Sequence, residues 1–279
     1  ATLLDQTGLS QYGNVSVSKT GGAVLTIESG TAFGYIPTMQ FQNLVNNAGS
    51  ALRLMNERLY VSNQFTNLGS TSFEGDSLGI YSYFHFQNSG SFTSLYGTAL
   101  VQIDGTFWNN GTMNFGRYTD LRGNFLNQGS LGAGNGVLIF NGSNPQTFTN
   151  TGTFIAFDLE VSKPNATLLL NQNLEIESTV YLSNGTISTG QTREVIVRNT
   201  DPSSLAYANG YVIGNLRRYL GNRGTYEFPV GDATKGFQLA AVSLFNNTDH
   251  NLRVYFQPFQ AIPNSPPVQD CIHLYGLPA

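Results

Sequence analysis

Two pairs of closely spaced carboxylates are the first candidates for chemistry in this chain. Glu74 and Asp76 stand two residues apart, as do Glu175 and Glu177, so within a strand each pair shares one face. Glycoside hydrolysis needs two carboxyl groups roughly 5–9 Å apart across a groove. Acidic pairs are also ordinary on solvated strand faces, and we expect that role here. The chain is therefore predicted to be non-catalytic, with a glycan-degrading enzyme as the alternative.

Metal-binding residues give a weaker signal. The three histidines are scattered and the one cysteine, Cys271, is not close to any pair of them, so no zinc-ligand spacing is present. Asp104, Asp120 and Asp158 lie near glycine-rich corners, where backbone carbonyl oxygens can join carboxylates around Ca²⁺. The glycine- and aspartate-rich calcium repeat of some β-helices is missing. No cofactor is expected, and Ca²⁺ stays as the alternative.

Aromatic side chains are the remaining candidates for ligand contact. Trp108, Tyr81 and Tyr83 lie in or beside β-prone segments, and Trp108 is the chain's one tryptophan. Their flat faces can stack on sugar rings while their polar edges form hydrogen bonds. The competing interpretation places most aromatic residues in the core, because apolar positions recur at the period of a repeat. Glycan contact at these three residues is therefore the alternative to a purely structural role.

The charge and composition exclude several classes of protein. Charged residues make up 11% of the 279 residues and the net charge is −4, whereas soluble domains average about 25% charged residues. No basic cluster exceeds Arg217-Arg218, which excludes a nucleic-acid-binding surface. No apolar run approaches the roughly 18 residues of a membrane-spanning helix. The low charge, the single cysteine and the 31 glycines indicate an exported, extracellular protein.

A phrase of the form apolar-x-Asn-x-Gly-Ser/Thr organises the first half of the chain. Its copies begin at Val45, Phe65, Phe86, Phe107, Phe125 and Phe148, about 21 residues apart. In the last five copies the asparagines are Asn67, Asn88, Asn109, Asn127 and Asn150, and the glycines are Gly69, Gly90, Gly111, Gly129 and Gly152. Glycine adopts positive φ without steric cost and asparagine tolerates it next best, so the phrase marks a sharp corner.

The spacing of these corners predicts a β-solenoid (a parallel β-helix). About 21 residues hold two or three short strands and their turns, and such a coil buries its apolar side only against neighbouring coils. Coils stacked about 4.8 Å apart align the asparagines into a ladder of amide hydrogen bonds and the phenylalanines into a column. The alternative is an antiparallel meander, whose turns usually recur every 8–12 residues or so.

The repeat weakens after about residue 155, and the turn cluster Asp201-Pro202-Ser203-Ser204 is the best domain boundary. Longer β-prone segments separated by Gly, Asn and Asp turns follow it. We therefore expect an all-β protein with a solenoid domain at 1–202 and a small antiparallel β-sandwich at 203–279. The last twelve residues are too few to complete that second domain, so we expect it to be unfinished where the chain stops.

Three segments in the second half resemble large cell-surface proteins of Bacteroidota. They are Asn184-Gly185-Thr186-Ile187, Ala208-Asn209-Gly210-Tyr211-Val212 and Tyr226-Glu227-Phe228-Pro229-Val230-Gly231-Asp232. In those proteins an F-P-V-G phrase follows Gly/Asn-rich β-repeats. The resemblance implies export by type IX secretion and an adhesin or surface-layer role, and it supplies no catalytic residues. Asp76-Ser77-Leu78 also resembles the site at which these bacteria attach O-glycans, which makes Ser77 a candidate for modification.

A solenoid has two open ends, and soluble solenoids cover them with polar caps. The stretch Ala1-Thr2-Leu3-Leu4-Asp5-Gln6-Thr7 carries one charge and is a poor cap. We therefore expect a structural or adhesive subunit that self-assembles into a filament or sheath, or that binds other cell-surface proteins or glycans. The competing interpretation is a monomeric stalk in a longer adhesin.

Overall fold

The computed structural model describes residues 2–5, 11–19, 21–29, 38–55, 58–74, 79–82, 85–94, 100–114, 117–132, 134–247, 249–257 and 271–277. Nearly all of these residues lie in strands, and parallel coils of about 21 residues stack into a β-solenoid of about eight turns. Among the described residues the one helical element is a 3-10 turn, Pro202–Ser204. The predicted solenoid is thus confirmed.

The strands up to residue 141 are short. They are β1 (Thr2–Asp5), β2 (Gln11–Val17), β3 (Val24–Ser29), β4 (Thr38–Asn46), β5 (Ala51–Met55), β6 (Arg58–Asn67), β7 (Ser70–Glu74), β8 (Gly79–Ser82), β9 (His85–Asn88), β10 (Ser91–Ser94), β11 (Leu100–Ile103), β12 (Thr106–Asn109), β13 (Thr112–Asn114), β14 (Tyr118–Leu121), β15 (Phe125–Asn127), β16 (Ser130–Gly132) and β17 (Val137–Asn141).

The later strands are longer. They are β18 (Gln146–Asn150), β19 (Asp158–Leu170), β20 (Leu174–Ile176), β21 (Val180–Val197), β22 (Leu205–Leu220), β23 (Gly224–Asp232), β24 (Gly236–Leu244), β25 (His250–Gln257) and β26 (Cys271–Leu277). The chain divides into two compact units. The first contains residues 1–141 and 149–155, and the second contains residues 142–148 and 156–279.

Each coil of the first unit contributes one strand to a seven-stranded parallel sheet, in the order β1-β3-β5-β7-β10-β13-β16. The remaining strands of the unit also pair in parallel, as in β6–β9, β9–β12 and β12–β15. Every pairing that the structure describes between strands of this unit joins successive coils in the same direction. An antiparallel meander would pair neighbouring strands in opposite directions, so that alternative is wrong for this unit.

Four phenylalanines of the repeat form the stacked column expected in the core of the first unit. They are Phe65, Phe86, Phe107 and Phe125, all fully buried. Successive ring centroids lie 5.2, 5.6 and 5.1 Å apart with nearly parallel planes. Phe92 packs edge-on against the column, 5.4 Å from Phe86. Alternation of inward apolar and outward polar residues along each short strand places these rings inside the coil.

The fifth phenylalanine of the repeat, Phe148, belongs to the second unit. It is 1% exposed and lies opposite Leu170 in the parallel pair of β18 and β19. Within the first unit, the tilted ring of Phe154 also lies 5.5 Å from Phe125.

In the second unit the parallel stack continues past the Asp201-Pro202 turn. β21 and β22 pair in parallel from Val180 opposite Leu205 to Val197 opposite Arg218. Antiparallel pairing begins only with β22–β25, β23–β24 and β25–β26. The expected boundary at 202/203 thus falls between two strands of one parallel pair, and β22 is shared by the parallel and the antiparallel parts.

Candidate functional site

Six asparagines at one corner of the first unit form a continuous hydrogen-bonded ladder. They are Asn46, Asn67, Asn88, Asn109, Asn127 and Asn150. Each Nδ2 donates to the Oδ1 of the next asparagine, and the successive distances are 2.9, 2.7, 2.8, 2.7 and 2.8 Å. The first five side chains are fully buried. A buried amide is costly unless it is bonded, and here neighbouring amides bond to one another along the ladder.

The glycines of the corner are required for a reason other than the positive φ that the sequence suggested. Of the repeated glycines only Gly49 has a positive φ, at 76°. A Cβ added at Gly90 would lie 1.9 Å from the carbonyl oxygen of Gly69, and at Gly111 it would lie 2.0 Å from that of Gly90. Residues at this position therefore lack a side chain because the backbones of successive coils nearly touch there.

The first copy of the repeat is shifted by one residue relative to the sequence phrase. Leu44, rather than Val45, lies opposite Phe65, and Asn46, rather than Asn47, lies opposite Asn67. Four residues separate Asn46 from Ala51 in this corner, whereas two separate Asn67 from Ser70 in the next, so two extra residues form the turn at Gly49. The side chain of Asn47 bonds instead to the Oγ atoms of two serines and to Val17 O in the preceding coil. Sequence alignment by the glycine alone missed this insertion.

The ladder is directional, and its first member is only half satisfied. All five amide bonds run from an earlier Nδ2 to a later Oδ1, so Asn46 is the only ladder member that donates without accepting along the ladder. Its buried Oδ1 has no hydrogen-bond donor among the residues that the structure describes. The Nδ2 of Asn46 also bonds Ser70 O at 2.8 Å and Thr71 Oγ1 at 3.2 Å.

A second, exposed asparagine ladder occurs in the first three coils. Asn43 Nδ2 donates to Asn14 Oδ1 at 2.5 Å, and Asn63 Nδ2 donates to Asn43 Oδ1 at 2.8 Å. These residues lie outside the repeated phrase, so the sequence reasoning did not find them. They are 29 and 20 residues apart, and this spacing, one coil for each step, could have indicated that they stack.

Trp108 lies on the outward side of β12 in the first unit and is 36% exposed. Its Nε1 lies 3.1 Å from both Asn110 Oδ1 and Gln128 Oε1, so two amides fix the edge of the ring. The ring borders a cavity of about 260 Å³ that is also lined by Gln64, His85, Phe86, Gln87 and Thr106.

The side chains of the other proposed contact residues lie outside the described part of the chain. Tyr81 lies in β8, where it is in register with Tyr60 and Gln102, and only its backbone is described. Tyr83 and Ser77 lie outside the described residues. The cavity residues His85 and Gln87 were missing from the sequence-based set because nothing in their local sequence distinguishes them from other outward positions.

Most of the candidate acidic residues that the structure describes pair with arginine side chains. Glu74 pairs with Arg53, whose guanidinium lowers the pKa of that carboxyl. Glu175 pairs with Arg198, and Glu177 is exposed. The guanidinium of Arg122 lies 3.4 Å from Asp104 and 3.7 Å from Asp120.

The remaining calcium candidate, Asp158, accepts hydrogen bonds from the backbone N and the Oγ1 of Thr179. Within the described ranges, no group of three or more His, Cys, Asp or Glu residues comes together in an arrangement that could hold a metal ion.

The second unit buries two charged side chains that nothing in the local sequence distinguishes. Arg218 is fully buried and donates to Glu227 O at 2.8 Å, to Pro202 O at 2.9 Å and to Ser204 Oγ at 3.0 Å. Its guanidinium carbon lies 5.1 Å from the centre of the Tyr226 ring. Burial lowers the pKa of Arg218 to about 10. This arginine therefore fixes the 3-10 turn through neutral acceptors rather than through a carboxylate.

Lys163 is a second fully buried cation with neutral partners. Its Nζ donates to Gly142 O at 3.1 Å, to Asn144 O at 2.8 Å and to Gln146 Oε1 at 2.5 Å. Burial lowers its pKa to about 8. All three of its N–H groups are used to hold the loop before β18.

A cleft of about 630 Å³ in the second unit is lined by residues of β21, β22, β23 and β25. Its two charged lining residues are already committed to other contacts. Arg253 Nη1 lies 3.2 Å from Glu194 Oε1, and Asp232 Oδ1 accepts the backbone N–H groups of Thr234 and Lys235. Glu194 also receives two bonds from Arg217, which lower the pKa of its carboxyl. The cleft thus has a structural charge network at its edge.

No helix in the described part of the chain is long and apolar enough to cross a membrane. Comparisons with protein-family models, with curated proteins and with solved structures found no match to this chain.

Proposed function

We propose that this chain is a non-catalytic, extracellular structural or adhesive subunit that works by stacking end to end. The observation that carries the proposal is the coil-to-coil self-complementarity of the first unit. Identical amides form hydrogen bonds and identical rings stack across successive coils, so the surface of one coil is complementary to the surface of a similar coil. A contact of this heterologous kind produces a filament when it does not close on itself.

The first described coil supports the proposal, because β2 has no feature that would keep a further coil from pairing with it. Among the described residues, β1 pairs only with β3 and β2 only with β4. β2 contains neither a charged residue nor a proline, the two commonest devices that keep edge strands apart. Its inward-pointing Val15 is only partly buried, whereas Leu44, opposite it in β4, is fully buried. An arriving coil would cover both the backbone edge and this apolar side chain.

Charge repulsion between copies is weak, since 30 charged residues are spread over 279 positions and nearly cancel. The acidic residues paired with arginines, Glu74 and Glu175, already have partners within the molecule. This arrangement favours a structural role over acid–base chemistry.

A charged residue placed in β2 tests the proposal. We expect the wild-type protein to form elongated particles in sedimentation velocity and negative-stain micrographs as its concentration is raised. The Val15→Lys variant should stay monomeric at the same concentrations, because stacking would bury the ammonium group.

The matched control is Val24→Lys, which introduces the same charge in the same coil at a valine that is 40% exposed. It should assemble like the wild type. A wild-type protein that stays monomeric at millimolar concentration would refute assembly and favour the stalk interpretation. Equal loss in both variants would show that net charge, and not the coil edge, controls association.

A further inference from the structure

We propose that the outward face around Trp108 binds a neutral oligosaccharide that lies across three successive coils. This inference rests on the adhesive part of the proposed function and assigns it a site and a class of ligand. The face consists of Gln64, His85, Gln87, Thr106 and Trp108, and it is named the Trp108 face below.

The parallel register sets these side chains in two columns. Gln64, His85 and Thr106 occupy equivalent positions in β6, β9 and β12, and Gln87 lies beside Trp108 in the same two later strands. Neighbouring strands are about 4.8 Å apart, so each column offers a polar group at every step along the stack. A ligand with a repeating set of hydroxyl groups can therefore contact one coil after another.

Trp108 supplies a rigid platform within this array. Its indole N–H is shared between Asn110 and Gln128, which fixes the plane of the ring before any ligand arrives. A fixed aromatic face loses little conformational entropy on binding, which favours affinity. The C–H face of a pyranose ring is a suitable partner for such a surface, while its hydroxyl groups can bond to the amides alongside.

The lining favours a neutral ligand. The cavity of about 260 Å³ is bordered by two glutamines, a histidine, a threonine and two aromatic residues, and none of these is an Asp, Glu, Lys or Arg. An anionic ligand would have no Lys or Arg in that lining to pair with, and a cationic ligand would have no carboxylate. Amide and hydroxyl groups around one aromatic ring suit uncharged sugars.

The single tryptophan makes the test specific to this face. Trp108 emission is recorded while cellohexaose, chitohexaose, laminarihexaose and mannohexaose are each added to the full chain up to 10 mM, roughly the weak end of ligand affinities. We expect at least one hexasaccharide to shift the emission with a saturating curve. Glucose at the same mass concentration should not, because it spans a single coil.

Variants separate contact from structure while keeping the reporter. Gln87→Ala should weaken binding of the active hexasaccharide at least tenfold, because it removes an amide next to the ring. Tyr219→Ala, which alters an exposed tyrosine of the second unit, should leave it unchanged. Absence of any saturable shift with all four sugars, or equal binding by Gln87→Ala, would overturn the proposal.

Failure here is distinguishable from failure of the proposed assembly. Particle formation is measured by sedimentation without any sugar. A protein that assembles but does not bind the hexasaccharides would support the structural role and refute the glycan site. A protein that binds sugar but stays monomeric would support the glycan site and refute filament formation.

Discussion

The two compact units stabilise buried polar groups in opposite ways. In the first unit each buried asparagine bonds to an identical residue one coil away, from Asn46 to Asn150. In the second unit the buried cations Lys163 and Arg218 bond to carbonyl oxygens of irregular turns. In the repetitive unit the buried hydrogen bonds are therefore distributed over many equivalent side chains. In the irregular unit, single side chains form several of them.

The comparison implies that a single substitution should cost more in the second unit than in the first. An interior ladder member has two ladder neighbours. Its loss removes one bond from each of them, and the bonds between the other members of the ladder remain. Arg218 bonds both to the 3-10 turn and to β23, so its loss removes four hydrogen bonds to these two elements at once.

Arg218→Ala is expected to have the largest effect. It should lower the free energy of unfolding by about 3–5 kcal/mol, because it removes a buried cation together with the hydrogen bonds that this cation donates. Urea denaturation followed by circular dichroism measures the change. Arg223→Ala, at an exposed position, should change the value by about 0.5 kcal/mol or less. Similar losses in the two variants would show that the Arg218 contacts do not stabilise the turn.

The ladder itself provides the second test. Asn109 both accepts from Asn88 and donates to Asn127, whereas Asn46 only donates along the ladder. Asn109→Ala should therefore cost about 2–4 kcal/mol, and Asn46→Ala about half as much. The same denaturation experiment compares them. An equal cost at both positions would contradict the directional ladder.

The smallest expected effect is a pH dependence that belongs to Lys163. Burial puts its pKa in the folded protein at about 8, below the ordinary 10.5. Between these values the unfolded chain binds more protons than the folded one, so the free energy of unfolding should rise as the pH rises from 8 to 10.5.

Thermal unfolding of Lys163→Met across that pH range should lack this rise. Lys235→Met, which removes an exposed lysine, should keep it. A rise that survives in Lys163→Met would assign the pH dependence to another group.

Repetition explains how much of the fold the sequence could predict. The asparagine and phenylalanine positions recur at the coil period, so their stacking follows from the period alone. The two-residue insertion after Asn46 could not be predicted, because either Asn46 or Asn47 fits the phrase. The prediction that the corner glycines adopt positive φ was also wrong. Close approach of two backbones selects the same residue type as positive φ does, so the sequence cannot separate the two causes.

The sites depend on contacts that have no local signature. Trp108 was singled out by its residue type, but Gln64, His85 and Gln87 join it only through the register of β6, β9 and β12. Lys163 and Arg218 are ordinary surface residue types, and nothing adjacent in the sequence indicates that each is fully buried. Long-range pairing, rather than composition, determines these environments.

Hydrogen–deuterium exchange in β2 tests the central claim, end-to-end stacking, most directly. The amides of Gln11–Val17 that do not bond to β4 should exchange rapidly in dilute protein. In concentrated protein we expect them to become protected, while the amides of β9, paired on both sides in each molecule, stay unchanged. Unchanged exchange in β2, under conditions where particles are present, would show that the copies associate through another surface and would contradict the account.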